Sequence, residues 1–175
     1  MRTLRRIIAA LALVAIQSTG CAPAESDPPS QDSTSSQTYP VSLSARQSVP
    51  SADSIATGIG WITLDEDLGE LEGSITLVSM TPTVAHIHYG YAGFNGPIVV
   101  SLDVTPTTLS VPSGTVLNDG QIDAIKAGAY YINVHSQAYP AGEIRAQIAP
   151  AGVEVLRVEL TGTQAVPPVA SQGSG

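Results

Sequence analysis

The sequence predicts an all-β fold built from short strands, with a single short helix. Three observations carry this prediction. Only 13% of the residues are charged, and the chain contains 13 prolines and 16 glycines. From Tyr39 onward, short alternating runs rich in Val, Ile and Thr are separated by turn residues at intervals of roughly 8 to 12 residues. Such spacing is typical of a β-sandwich or barrel, and 175 residues suffice for one domain with tails.

Hydrophobic alternation and turn residues give the order of the elements. Apolar residues that alternate with polar ones mark half-buried strands, and an Asp- and Gly-rich turn at 65–69 joins two such runs as a hairpin. The helix is predicted over 118–127. Asn118 or Asp119 caps its start, and Gly128 ends it. The predicted strands are 41–45, 56–64, 71–78, 84–88, 98–104, 115–117, 130–135 and 143–148.

Residues 1–21 are predicted to be a signal peptide with a lipobox. A basic segment precedes an apolar run at 7–16, which is too short to span a bilayer of roughly 30 Å as a helix. The run ends in Ser-Thr-Gly-Cys at 18–21, which resembles a bacterial lipobox, although Leu is usual in place of Ser18. The alternative is ordinary cleavage near Cys21 or Ala22, which leaves a soluble mature protein. Because Cys21 is the single cysteine of the sequence, no intramolecular disulfide can form, and a lone exported thiol favours lipidation.

The segment 22–38 is predicted to be a disordered tether. It consists mostly of Ser, Pro, Gln, Asp and Thr, with too few apolar residues to offset the entropy of ordering. The formal net charge of the whole chain is −8, and loss of the three arginines of the leader would make it about −11. So acidic a surface repels phosphate backbones and anionic lipids, which excludes nucleic acid as a partner and favours cations or basic ligands.

The three histidines are the candidate metal ligands. His86 and His88 are separated by one residue on a predicted strand, so both rings point to the same face. His135 ends another predicted strand. If the two strands are neighbours, three imidazole nitrogens converge as a ligand set suited to copper or zinc. The alternative is a structural polar network in which the histidines donate to backbone carbonyls and contact Asn133.

Five segments of this sequence form a recognisable pattern: Gln-Ser-Val-Pro at 47–50, Ala-His-Ile-His at 85–88, Gly-Phe-Asn-Gly-Pro-Ile-Val-Val at 93–100, Gly-Ala-Tyr-Tyr-Ile-Asn-Val-His-Ser at 128–136 and Pro-Ala-Gly-Glu-Ile-Arg-Ala-Gln-Ile at 140–148. Together they resemble the CHRD domain, a module named after its occurrence in chordin. The resemblance covers residues 39–149 and departs from the family pattern at Ser51, Ser136 and Ala146. It implies an immunoglobulin-like Greek-key β-sandwich with some likeness to copper/zinc superoxide dismutase, whose copper site also uses a His-x-His strand.

Further polar residues are candidates to support the histidines or the fold. Tyr89, Asn95 and Asn133 are the candidate supporting groups or fourth ligand of a metal site. Glu143 and Arg145 lie two residues apart on a predicted strand, so they share a face and are expected to form a structural ion pair with a neighbouring strand. The alternative is that they recognise a partner. Nucleophilic catalysis has no support, because the sequence lacks a Gly-x-Ser-x-Gly elbow and its one cysteine belongs to the export signal.

The C-terminal segment 150–175 is predicted to be a linker followed by the first strands of a second, truncated copy of the domain. Aligning 39–58 with 156–175 without a gap gives seven identities, including Gln-x-Val-Pro. The alternatives are that this last strand pairs within the first domain, or that the similarity between two Val- and Thr-rich strands is accidental. The identities fall at Val158, Leu160, Gln164, Val166, Pro167, Ser171 and Gly175.

These observations favour an exported, lipid-anchored, non-enzymatic module that serves binding or adhesion at a bacterial cell envelope, at the outer membrane or cell surface. The first alternative is a copper- or zinc-binding protein, as a metal carrier or a redox site. The second alternative is a structural spacer in a repeat array. The sequence does not identify the protein or envelope ligand that such a module would bind.

Overall fold

The computed structural model describes residues 35–153, together with 155, 158, 160 and 164–170. These residues belong to the larger of two units of the chain, Ser33–Gly175. The predicted signal peptide, the Cys21 lipidation site and tether residues 22–34 lie outside the described residues. Among the described residues, the structure contains no helix with the length and hydrophobicity needed to cross a membrane.

Nine strands form one antiparallel sheet in the order β5-β4-β8-β9-β1-β2-β3-β7-β6. A short 3-10 helix, Ala45–Gln47, follows β1, and the helix α1, Asp119–Lys126, precedes β8. The strands are β1 Ser36–Ser44, β2 Thr57–Asp65, β3 Leu71–Val78, β4 Pro82–Tyr89, β5 Ile98–Ser101, β6 Asp103–Val104, β7 Thr108–Ser110, β8 Tyr130–Ser136 and β9 Ile144–Ile148.

The sheet is nearly closed, because its two terminal strands are consecutive in the chain. β5 and β6 stand at opposite ends of the strand order, yet Leu102 alone separates them. The Leu102 N–H donates to the Ala85 carbonyl of β4 over 3.0 Å, and β6 also contacts β4. The all-β fold with one short helix is therefore confirmed. The immunoglobulin-like Greek-key sandwich stays a prediction.

The core lies on one face of the sheet, because side chains alternate along each strand. On β8, Ile132 and Val134 are fully buried in the core, and β4 contributes Ala85 and Ile87 to it. The intervening residues of β4, β8 and β9 point to the opposite, outer face. This outer face carries His86, His88, Tyr131, Asn133, His135, Arg145 and Gln147.

The helix begins as its sequence predicts. The Asn118 side chain accepts a hydrogen bond from the Gln121 N–H over 3.1 Å, and the Gln121 side chain accepts one from the Asn118 N–H over 2.9 Å. This reciprocal capping box satisfies two backbone donors that the first turn leaves free. Ile125 is fully buried. The helix ends before Gly128, whose φ of +71° favours glycine.

The observed elements differ most from the predicted ones at four places. β1 begins at Ser36, inside the predicted tether, because backbone pairing with 63–65 orders a polar stretch that composition marks as disordered. The strand predicted over 98–104 is divided at Leu102, whose side chain turns inward. Segment 115–117 forms no strand and contributes one isolated bridge. The three-residue strand β7 was missed, since a single buried leucine gives no alternation to detect.

The described part of the C-terminal segment after Ile148 contains no strand. Val158 and Val166 are 66% and 98% exposed. Residues 171–175, at which two of the seven identities fall, lie outside the described residues. The truncated second copy therefore stays a prediction.

Candidate metal centre

The pairing of β4 with β8 brings the three histidines together. In this antiparallel ladder His86 lies opposite Asn133, His88 opposite Tyr131, and Val84 opposite His135. Residues directly opposite each other share a face, so all three imidazoles lie on the outer face. One potential ligand nitrogen from each ring lies within 4.8 Å of the other two. The His86 ring centroid is 5.5 Å from those of His88 and His135.

Hydrogen bonds to backbone carbonyls fix the tautomers of two rings. A carbonyl oxygen can only accept, so His88 Nδ1 donates to Gly96 over 2.9 Å and His135 Nδ1 donates to Pro140 over 2.9 Å. In each neutral ring the proton is therefore on Nδ1 and the lone pair is on Nε2. The His135 Nε2 accepts from the Asn133 amide over 3.3 Å. Carbonyl-bonded imidazoles of this kind are the usual form of metal-ligating histidines.

Two buried nitrogens of the cluster have no hydrogen-bond partner among the described residues: His86 Nδ1 and His88 Nε2. A buried polar atom without a partner is costly, and native structures contain few of them. Here two such atoms occur on adjacent outward positions of one strand. A cation bound between the rings would use the lone pair of His88 Nε2 and, in the tautomer protonated on Nε2, that of His86 Nδ1.

The electrostatics keep two of the rings neutral. Burial lowers the pKa of His86, and the neighbouring rings of His135 and His88 lower it further. Burial also lowers the pKa of His88, the hydrogen bond to Gly96 partly offsets this, and His135 and Arg145 add to the lowering. Both imidazoles are therefore uncharged at pH 7, which is the protonation state that binds a metal ion.

A stack of three side chains supports His88 from the side of β9. The ring of Tyr131 is parallel to the His88 ring, with an angle of 7° and centroids 4.9 Å apart. The Arg145 guanidinium lies 3.5 Å from the centroid of the Tyr131 ring. Because β8 lies between β4 and β9, His88 and Arg145 approach Tyr131 from opposite sides. This stack fixes the orientation of the His88 ring.

The loop 90–97 covers this part of the outer face. Gly96 N–H donates to the Tyr131 hydroxyl over 3.0 Å, and Arg145 donates to the Tyr91 carbonyl over 3.1 Å. The Gln147 amide donates to the Gly90 carbonyl over 2.7 Å. A side chain at Gly96 would place its Cβ 1.7 Å from the Tyr89 carbonyl oxygen, so glycine is required for this approach. The loop thereby holds the carbonyl that orients His88.

The supporting residues named from the sequence occupy different places. Asn133 lies beside His135 and also donates to the Ala141 carbonyl. Asn95 does not contact the histidines through a hydrogen bond; its side-chain oxygen accepts a hydrogen bond from Arg145 over 3.4 Å. Tyr89 packs edge-to-face on the core residue Tyr130, with centroids 6.1 Å apart, and within the described region neither a hydrogen bond nor a ring contact joins its side chain to the histidines.

The ion pairs expected of Glu143 and Arg145 stay a prediction. Among the described residues, the ion pair present joins Lys126 to Glu66. Glu143 Oε1 instead accepts from the Ser54 hydroxyl over 2.6 Å. Arg145 is buried on the outer face, where neutral carbonyl and amide oxygens and the Tyr131 ring replace a carboxylate. Spacing along one strand shows a shared face but does not show which groups the neighbouring loops bring there.

Sequence reasoning missed Tyr131, Gln147 and the carbonyls of Gly96 and Pro140 as parts of the site. One signal for Tyr131 was available, because it stands two and four residues before Asn133 and His135 and therefore shares their face. The carbonyls give no signal in the sequence, since any residue supplies the same backbone group.

The three histidines fit a copper or zinc ion by their chemistry. They supply imidazole nitrogen donors from two adjacent strands, and two of the rings are oriented by backbone carbonyls. To bind the ion, His135 Nε2 would give up the 3.3 Å hydrogen bond that it accepts from Asn133. Nitrogens 2.0 to 2.1 Å from a tetrahedral ion are about 3.3 Å apart, so the rings would move inward by roughly 1.5 Å at most. A set of three protein ligands leaves a fourth position for water or another ligand.

Comparison with known protein families matches residues 39–148 to the CHRD domain. The comparison with curated proteins found no match, and the comparison with solved structures found none either. The matched region includes the three histidines, the loop 90–97 and all nine strands except the first three residues of β1. The chain belongs to the CHRD domain family.

Proposed function

We propose that this protein is an exported, lipid-anchored, non-enzymatic binding module whose outer-face site binds one copper or zinc ion through His86, His88 and His135. The observation that carries the metal site is the pair of buried nitrogens without partners, His86 Nδ1 and His88 Nε2. The module character rests on membership of the CHRD family.

The arrangement favours a metal over a purely structural polar network. In a structural network each buried nitrogen would find a donor or acceptor, because leaving one unpaired costs about 1–3 kcal/mol. His135 meets this condition with both ring nitrogens, whereas His86 and His88 do not. A bound cation supplies the missing partner for both at once.

Metal titration of the whole protein tests the site. The protein is purified without a polyhistidine tag, treated with a chelator, and titrated calorimetrically with Zn²⁺ and with Cu²⁺. We expect one ion per chain, and we expect His88→Ala and His135→Ala each to weaken binding by at least about 100-fold, since loss of a supporting residue alone costs 10- to 100-fold. Tyr89→Phe is the matched control, because it alters a neighbour of His88 and leaves all three ligands intact.

Two results would contradict the metal site. One is the absence of stoichiometric binding of either ion to correctly folded protein. The other is equal affinity in the wild type and in both alanine variants. Either result would assign the three histidines to the structural network.

The membrane anchor is proposed from the Ser-Thr-Gly-Cys sequence at 18–21 and is tested separately. Protein expressed in a bacterial host should enter the membrane fraction with a mass that includes a diacylglyceryl group on Cys21. Cys21→Ser should leave the protein outside this fraction, whereas Ser18→Ala should not. Recovery of unmodified wild-type protein from the soluble extracytoplasmic fraction would favour ordinary cleavage and a soluble mature form.

A further inference from the structure

A cleft of about 690 Å³ lies between two turns on the side of the domain where β3 joins β4 and β8 joins β9. Ser79, Met80 and Thr81 line it from the first turn, and Ser136, Gln137 and Ala138 line it from the second. Glu143 completes the lining, and we call the site the Glu143 cleft. The cleft is shallow and open to solvent.

The carboxylate of Glu143 is buried and firmly held. The residue is 6% exposed. Its Oε1 accepts from the Ser54 hydroxyl over 2.6 Å, and its backbone carbonyl accepts from the Ser48 hydroxyl over 3.1 Å. Its N–H donates to the Val134 carbonyl over 2.7 Å. The two backbone contacts hold the chain at Glu143, and the Ser54 hydroxyl orients the carboxylate.

The charge of Glu143 has no counter-ion in the described region, where the ion pair is Lys126 with Glu66. Glutamate is rarely buried to this extent unless it is paired. The Oε2 atom has no hydrogen-bond partner among the described residues, and it is not one of their completely buried unpartnered atoms. The cleft therefore presents a negative charge in a partly desolvated site.

We propose that the Glu143 cleft binds the primary ammonium group of a lysine side chain presented by a partner protein. The ammonium donates one hydrogen bond to Glu143 Oε2. The hydroxyl and amide oxygens of the lining accept hydrogen bonds from its other N–H groups. The Met80 side chain packs against the methylene groups of the lysine. The acidic net charge of the chain, −8, favours association with a basic partner.

The same contacts exclude two other cationic ligands. A guanidinium prefers a carboxylate with both oxygens available, whereas Ser54 already occupies Oε1 of Glu143. Calcium takes six to eight oxygen ligands, usually with several carboxylates, and this cleft has one carboxylate.

The backbone at the rim of the cleft is unusual: Ser79, with a φ of +62°, is the one non-glycine residue with positive φ in the described region. Strained positions of this kind cluster at ligand sites.

Binding is tested by nuclear magnetic resonance on the whole isotope-labelled protein, with a chelator present so that the histidine site does not contribute. The probes are Nα-acetyl-lysine methylamide, its uncharged analogue Nα-acetyl-norleucine methylamide, and the free diamine cadaverine. The lysine derivative should shift the amide signals of 79–81 and 136–138 saturably, more strongly than cadaverine, and the norleucine analogue should not. Equal shifts with lysine and norleucine, or no saturable shift, would overturn the proposal. Binding of cadaverine as tight as that of the lysine derivative would overturn the assignment to a protein side chain.

Two variants make the test specific. Glu143→Gln keeps an acceptor for Ser54 but removes the charge, and it should weaken binding of the lysine derivative by at least about tenfold. Asp103→Asn removes an equal charge from an exposed strand position outside the cleft and should leave binding unchanged. Gln137→Lys adds an ammonium at the exposed rim, where it competes for Glu143. Should Glu143→Gln fail to fold, undiminished binding in Gln137→Lys would refute the proposal.

Discussion

The phenol ring of Tyr131 is stacked on the imidazole of His88, with ring planes 7° apart and centroids separated by 4.9 Å. The same tyrosine accepts a hydrogen bond from Gly96, whose carbonyl in turn accepts the Nδ1 proton of His88. Tyr131 thus orients the His88 ring in two ways. It stacks on the face of the ring, and it holds the Gly96 backbone that accepts the hydrogen bond from Nδ1. The metal affinity of His88 should depend on a residue that binds no metal.

Tyr131→Phe should therefore weaken zinc binding although it removes no ligand. The variant keeps the stack but loses the acceptor for the Gly96 N–H, so the carbonyl that orients His88 is held less firmly. We expect about a tenfold loss of zinc affinity and a loss of about 1 kcal/mol in the free energy of unfolding. Calorimetric titration and urea unfolding measure the two effects. Tyr89→Phe, which also loses one hydroxyl, should change neither, and equal effects of the two variants would refute the role of Tyr131.

The metal-free protein should lose stability as the pH falls below about 6.5. The folded-state pKa values of His86 and His88 are lowered, so below that pH the unfolded chain binds more protons than the folded one. This contribution to stability is complete above the unfolded pKa and is lost as the pH falls through the folded pKa. Urea midpoints between pH 7.5 and 5.5 measure the loss. His86→Gln should reduce the slope, Tyr89→Phe should retain it, and a flat profile in the wild type would contradict the lowered pKa values.

Gly142→Ala should destabilise the fold and disturb Asn133. Gly142 has a φ of +126°, and a Cβ there would lie 2.4 Å from the Asn133 side-chain oxygen. We expect a loss of roughly 1–3 kcal/mol in the free energy of unfolding together with weaker zinc binding. Gly152→Ala is the matched control, since Gly152 also has a positive φ of +83° but has nothing within 4 Å of a Cβ. Similar losses at the two positions would assign the whole effect to backbone conformation.

Asn118→Ala should weaken the start of α1. The substitution removes the side-chain acceptor of the capping box and should cost about 1 kcal/mol in the free energy of unfolding, measured by urea denaturation. Asn118→Asp preserves an acceptor at the same position and should cost much less. Zinc affinity should be unchanged in both variants, because the helix does not contribute to the histidine cluster.

Zinc should stabilise the folded protein by mass action. An ion that binds the folded state alone adds about 2.7 kcal/mol to the free energy of unfolding when its free concentration is 100 times its dissociation constant. The melting temperature should rise with added Zn²⁺ and return to its starting value after chelation. Mg²⁺, which prefers oxygen ligands, should have no such effect. A zinc-dependent rise that persists in His88→Ala would place the bound ion elsewhere.

The sequence predicted the parts of the fold that depend on side-chain periodicity. β3 occupies the predicted residues 71–78, and the helix lies within the predicted 118–127. Periodicity is less informative where backbone pairing orders polar residues, as at Ser36–Thr38, or where a strand has only three residues. The closure of the sheet through Leu102 could not be derived, because the alternating pattern does not show which strands become neighbours.

The candidate site was also predicted only in part from the sequence. The His-x-His spacing showed that His86 and His88 share a face, while the approach of His135 depended on the pairing of β4 with β8. The contacts of Glu143 with Ser48 and Ser54, and those of Arg145 with the loop 90–97, join residues that are 50 or more positions apart. Such contacts depend on loop conformation, for which one sequence carries no periodic signal.

Because the first and last strands of the sheet come from one short stretch of backbone, the sheet offers little exposed ladder at Leu102 for a neighbouring chain to extend. Identical modules could therefore stand close together along a polypeptide or crowd on a surface without fusing their sheets at that edge. Contacts between them would then be left to side chains and bound ligands.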